Sequence, residues 1–171
     1  ITIGVLTLMR WNAVNNYPNL ADGTSNKFIE DSERHFKNLR QLTFSGENAE
    51  AYFSADSKEL IFQAHDGEGK CDQIYTMDLK TGEIEIVSTG KGVTTCAFFL
   101  YPDKNKFVYA STHHKNDNCP PKPDMSRGYV WKLYEDYDVF SSNRTGSEIN
   151  QLTSENGYDA DAIGRLKGTL V

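Results

Sequence analysis

The 171-residue sequence predicts an all-β chain that forms part of a β-propeller, with about two complete four-stranded antiparallel blades and parts of their neighbours. Three observations support this fold class. Helical periodicity is weak along the chain. Aromatic residues, which favour half-buried strands, make up 12% of the sequence. Short segments also recur in a fixed order, and repeats of about 40–45 residues with four strands each are typical of propeller blades.

Two pairs of repeated segments mark the units. Residues 41–43 and 151–153 both read Gln-Leu-Thr. Residues 55–62 and 102–109 both place an Asp and a Lys in a tight turn and follow it with β-forming residues. The second pair therefore predicts a turn that leads into a strand.

A third pair, residues 74–88 and 139–153, predicts a hairpin in each unit. Both segments begin with an apolar pair, carry Thr-Gly at a turn and then alternate apolar and polar residues. Each unit thus contains four strands, joined by an Asp/Lys turn, a loop and a Thr-Gly turn. The first unit is predicted over about residues 49–88 and the second over about 94–153, lengthened by an insertion. A third unit opens at Tyr158.

The blade sequences resemble the TolB-like, WD-repeat-like β-propeller family of bacterial cell-envelope proteins. The resemblance lies in residues 39–43, 53–58 and 73–78, and it extends over about residues 39–162. It implies a propeller scaffold that binds a protein or peptide partner through loops and the channel mouth on one face. It also implies a periplasmic or extracellular location.

The resemblance divides the chain into three parts. Residues 1–38 are an N-terminal extension, residues 39–162 are the TolB-like blades and residues 163–171 are a C-terminal tail. The largely apolar residues 1–9 fit either a strand or the end of a signal peptide. They fall short of the roughly 20 residues that cross a bilayer, so we expect no membrane span.

The charge balance argues against nucleic acid as a partner. The chain has 18 Lys and Arg against 24 Asp and Glu, which gives a formal net charge of −6. No block of basic residues is present, and binding to phosphate backbones needs clustered Lys and Arg.

Three acidic residues are candidates for partner binding. Glu50, Asp159 and Asp161 lie where inner strands of the family face the central channel. They predict an acidic funnel for a cation, a peptide or a basic segment. The alternative is that they are solvated carboxylates or cap turns.

The insertion in the second unit holds further candidates. His113, His114 and Cys119, together with two Asp, are groups that bind transition metals. Adjacent strand residues point to opposite faces and prolines stiffen this loop, so we expect an ordered structural or partner-binding loop and assign no metal. Tyr129 and Trp131 fit an exposed partner surface, and the alternative is that they brace the loop from inside.

The three cysteines allow one disulfide. Cys71, Cys96 and Cys119 contain no CxxC pair, so a zinc knuckle is not predicted. Propeller geometry brings all three segments toward one face, where a disulfide between two of them is sterically feasible. The sequence does not fix which two, and three reduced thiols are the alternative.

No catalytic motif is present. The chain lacks a Gly-x-Ser-x-Gly elbow, a Walker loop and a dinucleotide-binding glycine turn. We therefore predict a non-catalytic scaffold without a cofactor. The alternative is the propeller portion of a larger hydrolase, prolyl-oligopeptidase-like or amidohydrolase-associated, with catalytic residues outside this chain. An incomplete ring leaves open sheet edges. We therefore expect either a piece of a longer propeller, which we favour, or self-association through these edges.

Overall fold

The computed structural model describes residues 30–35, 39–67 and 70–163. In these ranges the protein is all-β, with eight strands in two four-stranded antiparallel sheets and no helix. The predicted fold class is confirmed. Most of the predicted extension and tail, with residues 1–9 among them, lies outside the described residues.

The first sheet, which is the first blade, is a meander of four strands. These are β1 Glu47–Phe53, β2 Glu59–His65, β3 Gln73–Asp78 and β4 Ile84–Ile86. Neighbours in sequence are neighbours in the sheet. Central strand β2 has consecutive buried residues, because both faces of the sheet are covered at this strand.

The second sheet, which is the second blade, repeats this order. Its strands are β5 Thr94–Leu100, β6 Asp103–Ser111, β7 Asp138–Asn143 and β8 Ile149–Gln151. Residues 112–137, between β6 and β7, contain no strand and correspond to the predicted insertion. The two sheets coincide with the two complete units predicted from the repeats.

The main hydrophobic core lies between the two sheets. It is built from alternate residues of facing strands, since successive side chains of a strand point to opposite faces. Its buried members are Ile61, Ile74, Val87, Ala97, Phe99, Phe107, Tyr109 and Phe140. The first blade supplies the first three and the second blade the other five, so burial of this apolar surface holds the blades together.

The face of the first blade that points away from the second is covered incompletely. Phe53 pairs with Leu60, and Ile86 pairs with Tyr75, so these residues share that face with the buried Phe62. Phe53 is 56% exposed and Ile86 is 38% exposed. We call this face the free flank, and it presents apolar side chains to solvent at its two edges.

Arg144, in the turn between β7 and β8, links the second blade to the first. Its guanidinium pairs with the Glu59 carboxylate, donates to Thr76 Oγ1 at 3.0 Å and lies 3.4 Å from Glu85 Oε2. Lys104 pairs with the same Glu59 at 2.9 Å. Successive connections of a meander lie at opposite ends of the sheet. Arg144 therefore sits at the end opposite the insertion. We call the end of the sheets that carries Arg144 the turn rim, and the end that carries the insertion the loop rim.

Candidate functional site

Three residues with a left-handed backbone occupy corresponding positions in successive units. Glu50 in β1, Cys96 in β5 and Asp161 after β8 have φ angles of 49°, 54° and 64°. This conformation is uncommon outside glycine. The pairing register of β1 and β5 shifts around these residues, as it does at β-bulges, which redirect side chains.

The side chains of these three residues converge at the loop rim. One atom capable of binding a metal from each of Glu50, Cys96 and Asp161 lies within 4.8 Å of the other two. Cys96 is only 6% exposed, whereas both acidic residues are exposed. We call these three residues the bulge cluster.

The Cys96 thiol is protonated at neutral pH. Its pKa is raised to about 12, first by burial and then by its hydrogen bond to the Asp161 carboxylate. The Thr95 hydroxyl, 3.3 Å from the sulfur, lowers the pKa by a smaller amount. Because a thiol is a much weaker nucleophile than a thiolate, Cys96 is poorly suited to covalent catalysis.

Gln63 of β2 fixes the bulge in β5. Its side-chain oxygen accepts hydrogen bonds from the Cys96 backbone N–H at 3.2 Å and from the Thr95 hydroxyl. Its amide nitrogen donates to Asp72 at 3.3 Å, and the same carboxylate group lies 2.6 Å from His65 Nδ1. A side chain of the first blade thus positions the cluster residue of the second.

The insertion forms an exposed apolar groove of about 200 Å³. Met125, Tyr129 and Trp131 line it and are 49%, 77% and 67% exposed. Lys132 lies 4.8 Å from the centre of the Tyr134 ring on the same wall. Contiguous exposed apolar surface of this kind is characteristic of interaction sites.

Tyr158 connects the groove to the bulge cluster. Its ring lies 5.2 Å from the ring of the buried Tyr137, which also lines the groove. Burial and then the nearby Cys96 raise the pKa of Tyr158, while a hydrogen bond with Trp131 lowers it. Tyr158 lines the groove, and Asp161, three residues later in the chain, belongs to the bulge cluster, so the two features are neighbours at the loop rim.

His113 and His114 lie beneath the insertion. Their ring centroids are 4.3 and 5.2 Å from the Phe140 ring. His113 Nδ1 is 2.9 Å from the Ser111 hydroxyl, and His114 Nε2 is 2.8 Å from the Asp138 carboxylate. Ser111 is fully buried, so no substrate can reach this Ser–His pair. Both histidines support the loop and offer a partner little surface.

A disulfide joins Cys71 to Cys119, and Cys96 is a free cysteine. Cys71 lies between β2 and β3 and Cys119 lies in the insertion, so the bond ties the two blades together at the loop rim. Its sulfur being oxidised, Cys119 is not a thiolate ligand for a metal at the histidines. Asp117 of the same loop pairs with Lys91 at 3.1 Å. These groups of the insertion are engaged in structural contacts.

The structure brings together two of the three predicted acidic residues. Glu50 and Asp161 belong to the bulge cluster, whereas Asp159 lies beside it and donates its backbone N–H to the Tyr137 carbonyl at 3.1 Å. The inclusion of Cys96 was not predicted. The sequence does carry a signal for it, because Glu50, Cys96 and Asp161 each precede an alanine at the same place in their repeat.

Two solved structures have a similar fold. TolB from Acinetobacter baumannii matches with 22% identity and a TM-score of 0.55, over 77% of this chain and 28% of its own. A protein described as TolB from Agrobacterium tumefaciens matches with 15% identity and a TM-score of 0.53, over 75% of this chain and 38% of its own. The chain spans well under half the length of either. No family model and no curated protein matches the sequence.

The order of the strands in each blade, their number and the two structural matches all indicate the same fold. No helix in the described ranges has the length and apolar character needed to cross a bilayer. The family resemblance seen in the sequence is confirmed at the level of the fold: this chain has a TolB-like β-propeller fold, of which two blades are described.

Proposed function

We propose that this chain is a non-catalytic β-propeller scaffold that binds a protein or peptide partner at the loop rim. The exposed apolar groove, with Asp161 of the bulge cluster next to it in the chain after Tyr158, carries the proposal. Exposed aromatic side chains such as Trp131 are frequent sources of binding energy at interfaces. Glu50 and Asp161 place negative charge beside them, and complementary charge adds specificity. This surface suits an extended peptide with an apolar side chain next to a Lys or Arg.

The rigid support of the surface favours this function. The Cys71–Cys119 bond and the buried Tyr137 hold the groove in place, and a preorganised site loses less conformational entropy on binding. The disulfide also supports a periplasmic or extracellular location, since such bonds persist in oxidising compartments.

Selection from a phage-displayed library of random peptides tests the proposal. With the purified 171-residue chain as bait, we expect enriched peptides that carry an aromatic or aliphatic residue close to a Lys or Arg. Trp131→Ala should weaken binding of a synthetic enriched peptide by at least about tenfold, as truncation of a central aromatic residue commonly does. Glu50→Gln should weaken it more at low salt than at high salt, because salt screens exposed charges.

Ile86→Ala is the matched control, since it removes an exposed apolar side chain from the free flank, the face of the first blade that points away from the second. It should leave peptide affinity unchanged. Failure to enrich any peptide, or equal losses in the Ile86 and Trp131 variants, would contradict the proposal.

The hydrolase alternative makes a different prediction. It requires a catalytic domain in the same reading frame outside residues 1–171, with the loop rim facing that domain. Sequencing the surrounding open reading frame distinguishes it from a scaffold that binds a separate partner.

A further inference from the structure

We propose that the bulge cluster binds one divalent cation of the zinc type, with Glu50, Cys96 and Asp161 each supplying one ligand. Three successive blade units would then meet on a single ion. This site lies beside the groove and shares Glu50 and Asp161 with the proposed peptide surface, but the ion needs no peptide in order to bind.

The geometry of the three donor atoms fits a common ion after a small adjustment. They lie within 4.8 Å of one another. Zinc binds sulfur at about 2.3 Å and carboxylate oxygen at about 2.0–2.2 Å, which places tetrahedral ligands about 3.6 Å apart. Glu50 and Asp161 are exposed, so their side chains can close this gap without disturbing the core.

The sulfur atom is the fixed point of the proposed site. Cys96 is buried, and the bond from its backbone N–H to Gln63 at 3.2 Å holds its strand in the bulge. Three separate segments of the chain bring their donors here, and the Asp159 carboxylate is not among them. The site therefore offers one buried sulfur ligand together with two carboxylate ligands, whereas a group of surface acids would offer carboxylates alone.

The donor set selects the kind of cation. One thiolate and two carboxylates suit zinc, which accepts both sulfur and oxygen, better than calcium or magnesium, which prefer oxygen alone. Three protein ligands leave a fourth tetrahedral position for water or another ligand.

Binding requires the loss of one proton. The S–H bond of Cys96 breaks, a sulfur–metal bond forms and the proton passes to solvent. With Glu50 and Asp161 counted as carboxylates, the formal charge of the site changes from minus two to minus one. No oxidant or reductant takes part.

Calorimetric titration of the oxidised 171-residue chain with ZnCl₂ tests the proposal. We expect one Zn²⁺ per chain and release of one proton per ion, read from the dependence of the binding heat on the buffer. Titration with Cd²⁺ should produce an ultraviolet thiolate-to-metal charge-transfer band.

Variants identify the ligands. Cys96→Ser should remove the Cd²⁺ band. Cys96→Ser and Asp161→Asn should each weaken Zn²⁺ binding by at least about tenfold, since even residues that only support a ligand have effects of this size. Glu47→Gln, which removes an exposed carboxylate from the same strand as Glu50, is the control and should leave affinity unchanged.

Absence of binding, or affinity that survives both the Cys96 and the Asp161 substitution, would overturn the proposal. If Cys96→Ser fails to fold by circular dichroism, the exposed Asp161 and Glu50 positions still decide the question. A failed metal test leaves the Trp131 peptide test standing, because Trp131 is not a proposed metal ligand and Cys96 is not a proposed peptide contact.

Discussion

Gly92 lies at a crowded point of the loop rim, where the segment after β4 passes close to the insertion. Its φ is +56°, and an added Cβ would come within 2.8 Å of the His113 backbone nitrogen and 2.9 Å of the Asn116 carbonyl oxygen. Gly90 has a φ of +76° but open space around the same position. The two glycines thus share a left-handed backbone and differ in crowding.

Gly92→Ala should therefore destabilise the protein more than Gly90→Ala. Both variants place a Cβ in the left-handed region, which costs about 1–2 kcal/mol. Only Gly92→Ala adds a clash with backbone atoms, worth about 1–3 kcal/mol more. Urea denaturation of both variants measures the difference. Equal losses of unfolding free energy in the two variants would mean that the backbone around residue 92 shifts to relieve the clash, contrary to this expectation.

At the same scale, the repeats were sufficient to place Glu50 and Asp161 at the rim, because each follows a recognisable start of a unit. The role of Gln63 could not be predicted in this way. Its bonds to Cys96 depend on a register shift in another blade, and the pattern of apolar residues does not encode such a shift.

At the scale of elements, the insertion depends on cross-links because residues 112–137 contain no strand. Within it, the Tyr134 hydroxyl donates to the Pro121 carbonyl at 2.6 Å. The Cys71–Cys119 disulfide anchors it to the first blade across a sequence separation of 48.

The double variant Cys71→Ser/Cys119→Ser should lower the free energy of unfolding by about 2–4 kcal/mol, since a closed loop of this length restricts the unfolded chain. Trypsin should also cut faster after Arg127, within the insertion. Wild-type protein reduced with dithiothreitol serves as the comparison and should behave like the double variant. Unchanged stability and cleavage in both would contradict the anchoring role.

The strands were predictable where turn chemistry and alternation agree, as in the hairpin of β3 and β4 with its Thr81-Gly82 turn. The course of the insertion could not be predicted, because its apolar residues follow neither the two-residue period of a strand nor the 3.6-residue period of a helix. Its exposed Tyr129 and buried Tyr137 are the same residue type, and only packing against the second blade distinguishes them.

At the scale of the whole molecule, the free flank is the face of the first blade opposite the face that forms the core between the blades. In a propeller both faces of a blade meet neighbours, yet Phe53 and Ile86 are exposed on this face. We expect the isolated chain to associate with itself through this surface.

Light scattering over a range of protein concentrations tests this expectation. The average mass should rise with concentration for the wild-type chain and less for Phe53→Lys, which puts a charge on the free flank. Trp131→Ala, which removes another exposed apolar side chain, in the groove, should associate like wild type. A mass independent of concentration, or a reduction in the Trp131 variant alone, would refute association through the flank.

The number of complete blades followed from the repeats, but their docking did not. Repeats specify each sheet separately, whereas the contact of Arg144 with Glu59 joins residues 85 positions apart in sequence. Nothing in either segment alone indicates that the two side chains meet.

The disulfide at one rim and the Arg144 network at the other have a joint mechanical effect. Because the blade interface is cross-linked at both ends, the two sheets can neither separate nor slide past each other and should move as one rigid body. Thermal fluctuations are then confined to the outer strands of the two blades. A partner that binds across the blade interface at the loop rim therefore contacts two blades whose spacing stays constant.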